Sequence, residues 1–308
     1  MLIGISFLCF AVLWLSPGNY VQSLTSDEKF SEELRRQITH EFGLDKPWPI
    51  QYLLWLGNAL RLNFGTSLAT RQPVAGMLWE RMGNTLILSF SSLAVAWGLA
   101  IPLGIIAAVK RNSWVDRFTS LFAFTGISVP GFFLALLAML FAQRTGLFPV
   151  GGMHDINADQ MSGPRQFLDL LHHLILPTLV LGVAGCASIM RQMRGNLLDT
   201  LRENYITAAR ARGLSEWKVV LKHGVRNAIN PLITIFGFSL GGLLSGAALV
   251  ENVMAWPGLG RLILESVQSK EIYMVMGSFT LGAAMLMAGN LIGDILLAVT
   301  DPRIRIGK

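Results

Sequence analysis

Six apolar runs alternate with polar stretches along this chain of 308 residues. They cover residues 1–15, 84–109, 118–142, 174–190, 228–250 and 273–300. A helix needs about 20 predominantly apolar residues to cross the hydrocarbon core of a bilayer. The pattern therefore predicts an all-α, polytopic membrane protein with six transmembrane helices, the first of them shortened at its beginning. The sequence Ser-Val-Pro-Gly at 128–131 predicts a break or kink within the third run.

The composition excludes several other classes of protein. Hydrophobic residues make up 52% of the chain and charged residues 14%, with a mean hydropathy of +0.51, whereas soluble domains carry about 25% charged residues. The chain contains neither a G-x-x-x-x-G-K-[ST] phosphate loop nor an H-E-x-x-H zinc motif. Its G-x-S-x-G match at 237–241 lies inside an apolar run, not at a strand-to-helix turn. We therefore expect no catalytic residue, no metal and no cofactor bound by this chain.

The stretch 203–231 carries seven charged residues between the fourth and fifth apolar runs. These charges exclude it from hydrocarbon, and its excess of Lys and Arg predicts the cytoplasmic side. Residues 207–212 favour a helix. Gly213 either ends this helix or lets the backbone of a partner approach closely. Ser215 is expected to cap a second helix at 216–223. Two short helices joined by a glycine predict a docking element.

The charge distribution predicts the orientation of the chain. With both termini on the cytoplasmic side, more than half of the 25 Lys and Arg residues fall in inner segments, and the outer segments are close to neutral. The basic excess then faces anionic lipid and a cytoplasmic partner, so we expect no nucleic acid.

The polar stretch, with TAARARGLS, a histidine and RNAINPLIT in order, resembles the EAA cytoplasmic loop of ABC-importer permeases. Pro231 lies eighteen residues after Gly213, which is similar to the dipeptide, oligopeptide and nickel permease group and unlike the sugar importers. The WPGLG sequence at 256–260, the SPGN turn at 16–19 and the DPR ending at 301–303 also resemble that group. The resemblance covers nearly the whole chain.

This resemblance implies the type I ABC-importer permease fold and a non-catalytic, pore-forming subunit in the bacterial cytoplasmic membrane. The implied partners are a second homologous permease, two ABC ATPase subunits that use ATP and Mg²⁺, an extracytoplasmic solute-binding protein and the lipid bilayer. The loop would form the coupling helix in a groove of an ATPase subunit. The residues expected in this contact are Glu203, Ala208, Ala209, Arg210, Arg212, Gly213 and Leu214.

Other residues are candidates for the pathway or for helix packing. Candidates for the translocation path or its gate are Pro130, Glu251, Asn252, Trp256, Pro257 and Gly258. Gly237 and Gly241 are spaced to let two helices approach closely. Asp294 is an acid inside the last run, for which a structural hydrogen bond is favoured over a role in transport.

Three regions are expected along the chain. Residues 1–83 hold the first transmembrane helix and a long extracytoplasmic segment, with a surface helix at 27–41 and a possible platform for a binding protein. Residues 84–300 form the permease core with the coupling loop at 191–227, and residues 301–308 form a cytoplasmic tail.

The sequence does not identify the transported solute. Dipeptides or oligopeptides are favoured, and nickel, another metal chelate or a glutathione-like solute is the alternative. A secondary transporter would use intramembrane acids such as Asp294, but no inverted repeat accompanies it. A membrane-embedded enzyme is the weakest alternative, because Ser239 has no histidine in its own run or the preceding one.

Overall fold

The computed structural model describes residues 1–15, 33, 40, 45–67 and 69–300, without the side chains of 234, 237, 238, 240–247 and 296–300. The predicted surface helix at 27–41, the SPGN turn and the DPR ending lie outside these residues. Within them the chain is helical, with one isolated bridge between Thr66 and Pro73. The helices are α1 Leu2–Leu15, α2 Trp48–Ala59, α3 Val74–Val109, α4 Trp114–Ser128, α5 Gly131–Thr145, α6 Gly163–Thr200, α7 Asn204–Ala211, α8 Glu216–Lys218, α9 Arg226–Ala228, α10 Asn230–Val253, α11 Leu259–Gln268 and α12 Ile272–Thr300. A π-helix, Val219–Val225, connects α8 to α9, and a 3₁₀ turn lies at Ala158–Gln160.

Several helices are long and apolar enough to cross a membrane. Among the described residues these are α3, α6 and Ile272–Ile295 of α12. The third predicted span is not one straight helix, because α4 and α5 meet at an angle of 103°. The break predicted at 128–131 is therefore confirmed, and the third predicted run consists of α4 and α5 on either side of it. Pro130 causes it, since proline lacks an N–H and disfavours helical backbone at the preceding residue.

The described chain divides into two compact units, and the boundaries fall within α3, between α10 and α11, and within α12. The first comprises Met1–Thr85 and Pro257–Met285. Its core joins aromatic residues of α1 and α2 to residues of α3, α11 and α12, including Phe10, Tyr52 and Leu78. Within this apolar core the hydroxyls of Ser6 and Tyr52 lie 3.0 Å apart. They form a hydrogen bond, so neither buried hydroxyl lacks a partner.

The second unit comprises Leu86–Trp256 and the chain after Met285. Small residues dominate its core, and alanines of α3, α4 and α6 pack around Met190 and Met193. A Cβ placed on Gly104 would lie 2.8 Å from the carbonyl oxygen of Met190. Because membrane helices gain little from the hydrophobic effect between them, such close backbone approach supplies the dispersion contact that holds them together.

Candidate coupling hairpin and translocation cavity

The polar hairpin, residues 204–228, has a small hydrophobic core of its own. Ile206 and Ala209 lie one turn apart on α7 and are buried against Val219 of the π-helix. Leu201 of the preceding turn packs against this core. The predicted pair of short helices is confirmed, although the second arm continues through the π-helix into α9. Ser215 precedes α8 but makes no capping hydrogen bond with its side chain, so that prediction is wrong.

Gly213 and an ion pair set the turn between the two arms. Gly213 has φ +74°, a left-handed conformation that glycine adopts without a steric penalty. Across this turn Arg210 donates hydrogen bonds to Glu216, from Nη2 to Oε1 at 2.6 Å and from Nε to Oε2 at 3.1 Å. These bonds hold the pKa of Glu216 below its ordinary value and raise the pKa of Arg210. Both groups are exposed, so the pair stabilises the turn by only about 0–1 kcal/mol.

The hairpin is fastened to the ends of two long helices. Asn196 Nδ2 of α6 donates to the carbonyl oxygen of Ala228 at 3.1 Å. A Cβ on Gly224 would lie 3.1 Å from a methyl group of Leu197, so the π-helix passes close to α6. α9 leads directly into α10 through Ile229. The hairpin is therefore in direct contact with the end of α6 and continuous with α10.

The hairpin exposes most, but not all, of the residues expected to contact a partner. Ala209 is the exception, because it is only 6% exposed within the hairpin core. Its side chain packs inside the hairpin, so the expectation that it forms contact surface is corrected. The expected residues that are exposed are Glu203, Ala208, Arg210, Arg212, Gly213 and Leu214.

Sequence reasoning overlooked Trp217 as a site residue. Its side chain is 70% exposed on the second arm, next to the turn. The available signal was an aromatic residue within this charged stretch of the sequence. Exposed tryptophans of this kind are enriched among residues that dominate protein interfaces.

A cavity of about 590 Å³ lies within the second unit, at the break between α4 and α5. Pro130 lines it, as expected of a pathway candidate, together with Gly131 and Phe132 at the start of α5. The other walls come from α3, α6 and α10, and none of the lining residues whose side chains are described is charged. The Ser92 and Ser239 hydroxyls in its wall donate to carbonyl oxygens of their own helices. The cavity is thus a largely apolar chamber between the helices that lead to the hairpin.

The segment 251–258 is tightly packed. Glu251 and Trp256 are fully buried, and the Trp256 N–H donates to the Glu251 carbonyl oxygen at 2.8 Å. Gly152 donates its N–H to the carbonyl oxygen of Met254 at 2.9 Å, and a Cβ on Gly151 would lie 2.6 Å from that oxygen. The glycine pair therefore lets the loop between α5 and α6 lie directly on the end of α10.

The first unit holds the remainder of this segment. Asn84 Nδ2 donates to the Pro257 carbonyl oxygen at 2.9 Å, and Leu259 donates its N–H to the Thr85 hydroxyl at 2.7 Å. Gly258 is buried and Asn252 is exposed. Pro130 is the one pathway candidate that lines the cavity. Leu249 and Val250, which were not candidates and lie just before this segment, line it as well. A pathway role for residues 251–258 stays a prediction.

The remaining structural candidates lie on α10 and α12. Gly237 and Gly241 fall among the positions whose surroundings lie outside the described part of α10. Asp294 is exposed and makes no hydrogen bond or ion pair with another residue that the structure describes. The structural hydrogen bond favoured from the sequence stays a prediction for this carboxylate.

Comparisons with known proteins agree with the resemblance drawn from the motifs. Residues 100–306 match the family described as binding-protein-dependent transport system inner membrane component. The oligopeptide transport system permease protein AppB of Bacillus subtilis is 38% identical over 306 residues, covering 99% of this chain and 95% of that protein. The dipeptide transport system permease protein DppB of Escherichia coli is 36% identical over 323 residues, covering 99% of this chain and 95% of that protein. The MetNI methionine ABC transporter, solved in inward-facing conformations, matches with a TM-score of 0.56 at 19% identity, covering 73% of this chain and 96% of that one. The last match shows a shared fold.

Proposed function

The chain belongs to the family of binding-protein-dependent transport system inner membrane components, and we propose that it is the pore-forming subunit of an ATP-driven importer of dipeptides or oligopeptides. The peptide permeases similar to it over nearly their full length support this substrate class. The fold shared with the MetNI methionine ABC transporter supports the pore-forming role. The chain itself performs no catalysis and binds no cofactor, whereas ATP and Mg²⁺ are used by partner ATPase subunits.

The polar hairpin is the observation that carries this proposal. It has a buried core, a braced turn and an exposed tryptophan, so it is shaped to enter a partner rather than to connect helices. We assign Ala208, Gly213, Leu214 and Trp217 to the surface that contacts an ATPase subunit. Ala208 and Gly213 allow close backbone approach, and Trp217 offers apolar area next to them.

The mechanism follows from how the hairpin is attached. Nucleotide binding brings two ATPase subunits together and moves the hairpin of this chain and that of a second permease. Because the hairpin is fastened to α6 and α10, its motion displaces two walls of the 590 Å³ cavity. The pathway then changes from open toward the cytoplasm to open toward the extracytoplasmic binding protein. This scheme places the hairpin and both termini on the cytoplasmic side of a bacterial inner membrane.

Arginine substitutions on the hairpin test the docking surface. Ala208→Arg adds bulk and charge on the exposed face of α7, so co-purification of the ATPases and peptide uptake should both fall at least tenfold. Asn157→Arg is the matched control, because Asn157 is exposed in the loop before α6 and lies far along the chain from the hairpin. Normal ATPase recovery with Ala208→Arg, at normal membrane expression, would contradict the proposed docking surface.

Uptake by cells that lack this chain tests the substrate class. Labelled dipeptide uptake should be lost in the deletion strain and restored by the wild-type chain. Intact peptide uptake together with lost nickel accumulation would instead establish the metal alternative.

A further inference from the structure

Basic side chains gather where α4 begins beside the last third of α6. They are Lys110, Arg111, Arg117, Arg191 and Arg194. Only Arg194 is paired with a carboxylate among the described residues. It donates to the buried Asp116 from Nε at 2.6 Å and from Nη2 at 2.9 Å.

Asp116 carries one negative charge, which the positive charge of Arg194 already balances. Its Oδ2 also accepts the N–H of Asn112 at 2.9 Å, at the turn between α3 and α4. The side chains of Arg117 and Arg191 are exposed and make no ion pair within the described chain. The surface therefore carries a concentrated positive charge that is available to an external anion.

A cavity of about 130 Å³ lies within this basic surface, between α4 and α6. Its volume equals that of about four water molecules, which is enough for a phosphate group. Arg191, Arg194, Thr119 and Ser120 form its polar lining, and Phe124 with three small or flexible apolar residues forms the rest. Along α4 the polar lining residues Thr119 and Ser120 come one turn before the apolar Ala123 and Phe124. The cavity thus offers polar groups that suit an anion and, further along α4, an apolar end that suits hydrocarbon.

The exposed face of α4 extends the apolar end of the cavity. Trp114, Phe118, Leu121 and Phe124 are all more than half exposed and recur at spacings of three or four residues, so they form one stripe. The Arg117 guanidinium lies 5.3 Å from the centre of the Trp114 ring, within the range of a cation–π interaction. Trp and Arg side chains of this kind occupy the boundary between lipid headgroups and acyl chains.

We propose that this surface binds one anionic glycerophospholipid. Its phosphodiester lies against Arg191 and Ser120, with Arg117 adding charge, and an acyl chain lies along the stripe from Phe118 to Phe124. The inference rests on the proposed orientation, because basic pockets between membrane helices on the cytoplasmic side suit anionic headgroups. The bound lipid holds the start of α4 against α6, the helix that leads into the polar hairpin.

Native mass spectrometry of the purified transporter complex tests this site. The probes are palmitoyl-oleoyl phosphatidylglycerol and phosphatidylcholine with the same acyl chains. Arg191→Gln should lower the affinity for phosphatidylglycerol about fivefold, and Arg117→Gln with Arg191→Gln about 25-fold, given the usual contribution of one basic residue at an anionic membrane surface. Ser120→Leu fills the cavity without changing the charge and should lower phosphatidylglycerol retention as well.

Arg144→Gln is the matched control, since Arg144 is exposed in the last turn of α5. Equal loss of phosphatidylglycerol with Arg191→Gln and with Arg144→Gln would overturn the site. Displacement of the probe by millimolar inorganic phosphate would overturn the lipid assignment in favour of free phosphate. Lipid retention is measured without peptide or nucleotide, so failure of this site is distinct from failure of the proposed transport function.

Discussion

Replacing Ile206 separates folding of the polar hairpin from its docking. Ile206 is fully buried, and the hairpin core contains only two other buried residues, Ala209 and Val219. Truncation of a buried isoleucine to alanine costs about 2–5 kcal/mol, and truncation to valine about 0.5–1.5 kcal/mol. At about 3 kcal/mol, Ile206→Ala raises the equilibrium constant for local opening of the hairpin on the order of 100-fold. Ile206→Val should raise it about fivefold.

Limited trypsin digestion of the detergent-purified permease measures this opening. The hairpin carries several Lys and Arg residues, and cleavage follows the population of the open state when opening and closing are fast. Leu221→Ala is the control, because Leu221 lies in the same hairpin but is exposed. Its cleavage rate should stay within about twofold of wild type. Unchanged cleavage in Ile206→Ala, or equal acceleration in Leu221→Ala, would refute the assignment of an independent hairpin core.

Three further substitutions test other features. Gly151→Ala places a methyl group 2.6 Å from a carbonyl oxygen at the end of α10, so uptake should fall severalfold, whereas Gly163→Ala, with open space around its Cβ, should transport normally. Asp116→Asn leaves the Arg194 guanidinium without its anion and should lower stability by about 1–3 kcal/mol, measured as a lower thermal midpoint in detergent; an unchanged midpoint would contradict a stabilising pair. The pKa of Glu216 is lowered in the folded chain, so its ion pair stabilises the hairpin above the unfolded carboxyl pKa of about 4.3 and is lost as pH falls through the folded pKa. The protection of hairpin amides from hydrogen exchange, corrected for the intrinsic exchange rate at each pH, should therefore fall in the wild type as the pH drops below about 4.3. Glu216→Gln should remove this pH dependence, and a persisting dependence would point to another group.

Local sequence patterns identified the elements whose causes are local. Apolar runs of sufficient length predicted the membrane helices, since hydrocarbon requires every backbone polar group to be paired within its own segment. Pro130 and Gly213 marked the helix break and the hairpin turn, because the backbone restrictions of proline and glycine act at single positions. The order of the motifs also indicated the family, which the match over residues 100–306 confirms.

The contacts between distant residues could not be read from the same patterns. Composition suggested that Ala208 and Ala209 share one surface, yet a helical step of about 100° exposes the first and buries the second against Val219. Ser215 has the residue type of a cap but makes no capping hydrogen bond, because a side chain also needs suitable geometry.

The sequence by itself determined the class of protein, the approximate membrane helices, the site of the helix break and the polar hairpin, because each depends on hydrophobicity or backbone preference over a few neighbouring residues. Only the tertiary structure decided that the hairpin has its own core, that Trp217 is exposed beside its turn, and that α4 and α6 enclose a basic cavity. These features depend on which side chains, up to 78 residues apart for Asp116 and Arg194, are brought into contact. Hydrophobic patterning selects a buried face for each helix, whereas packing between helices selects the partner.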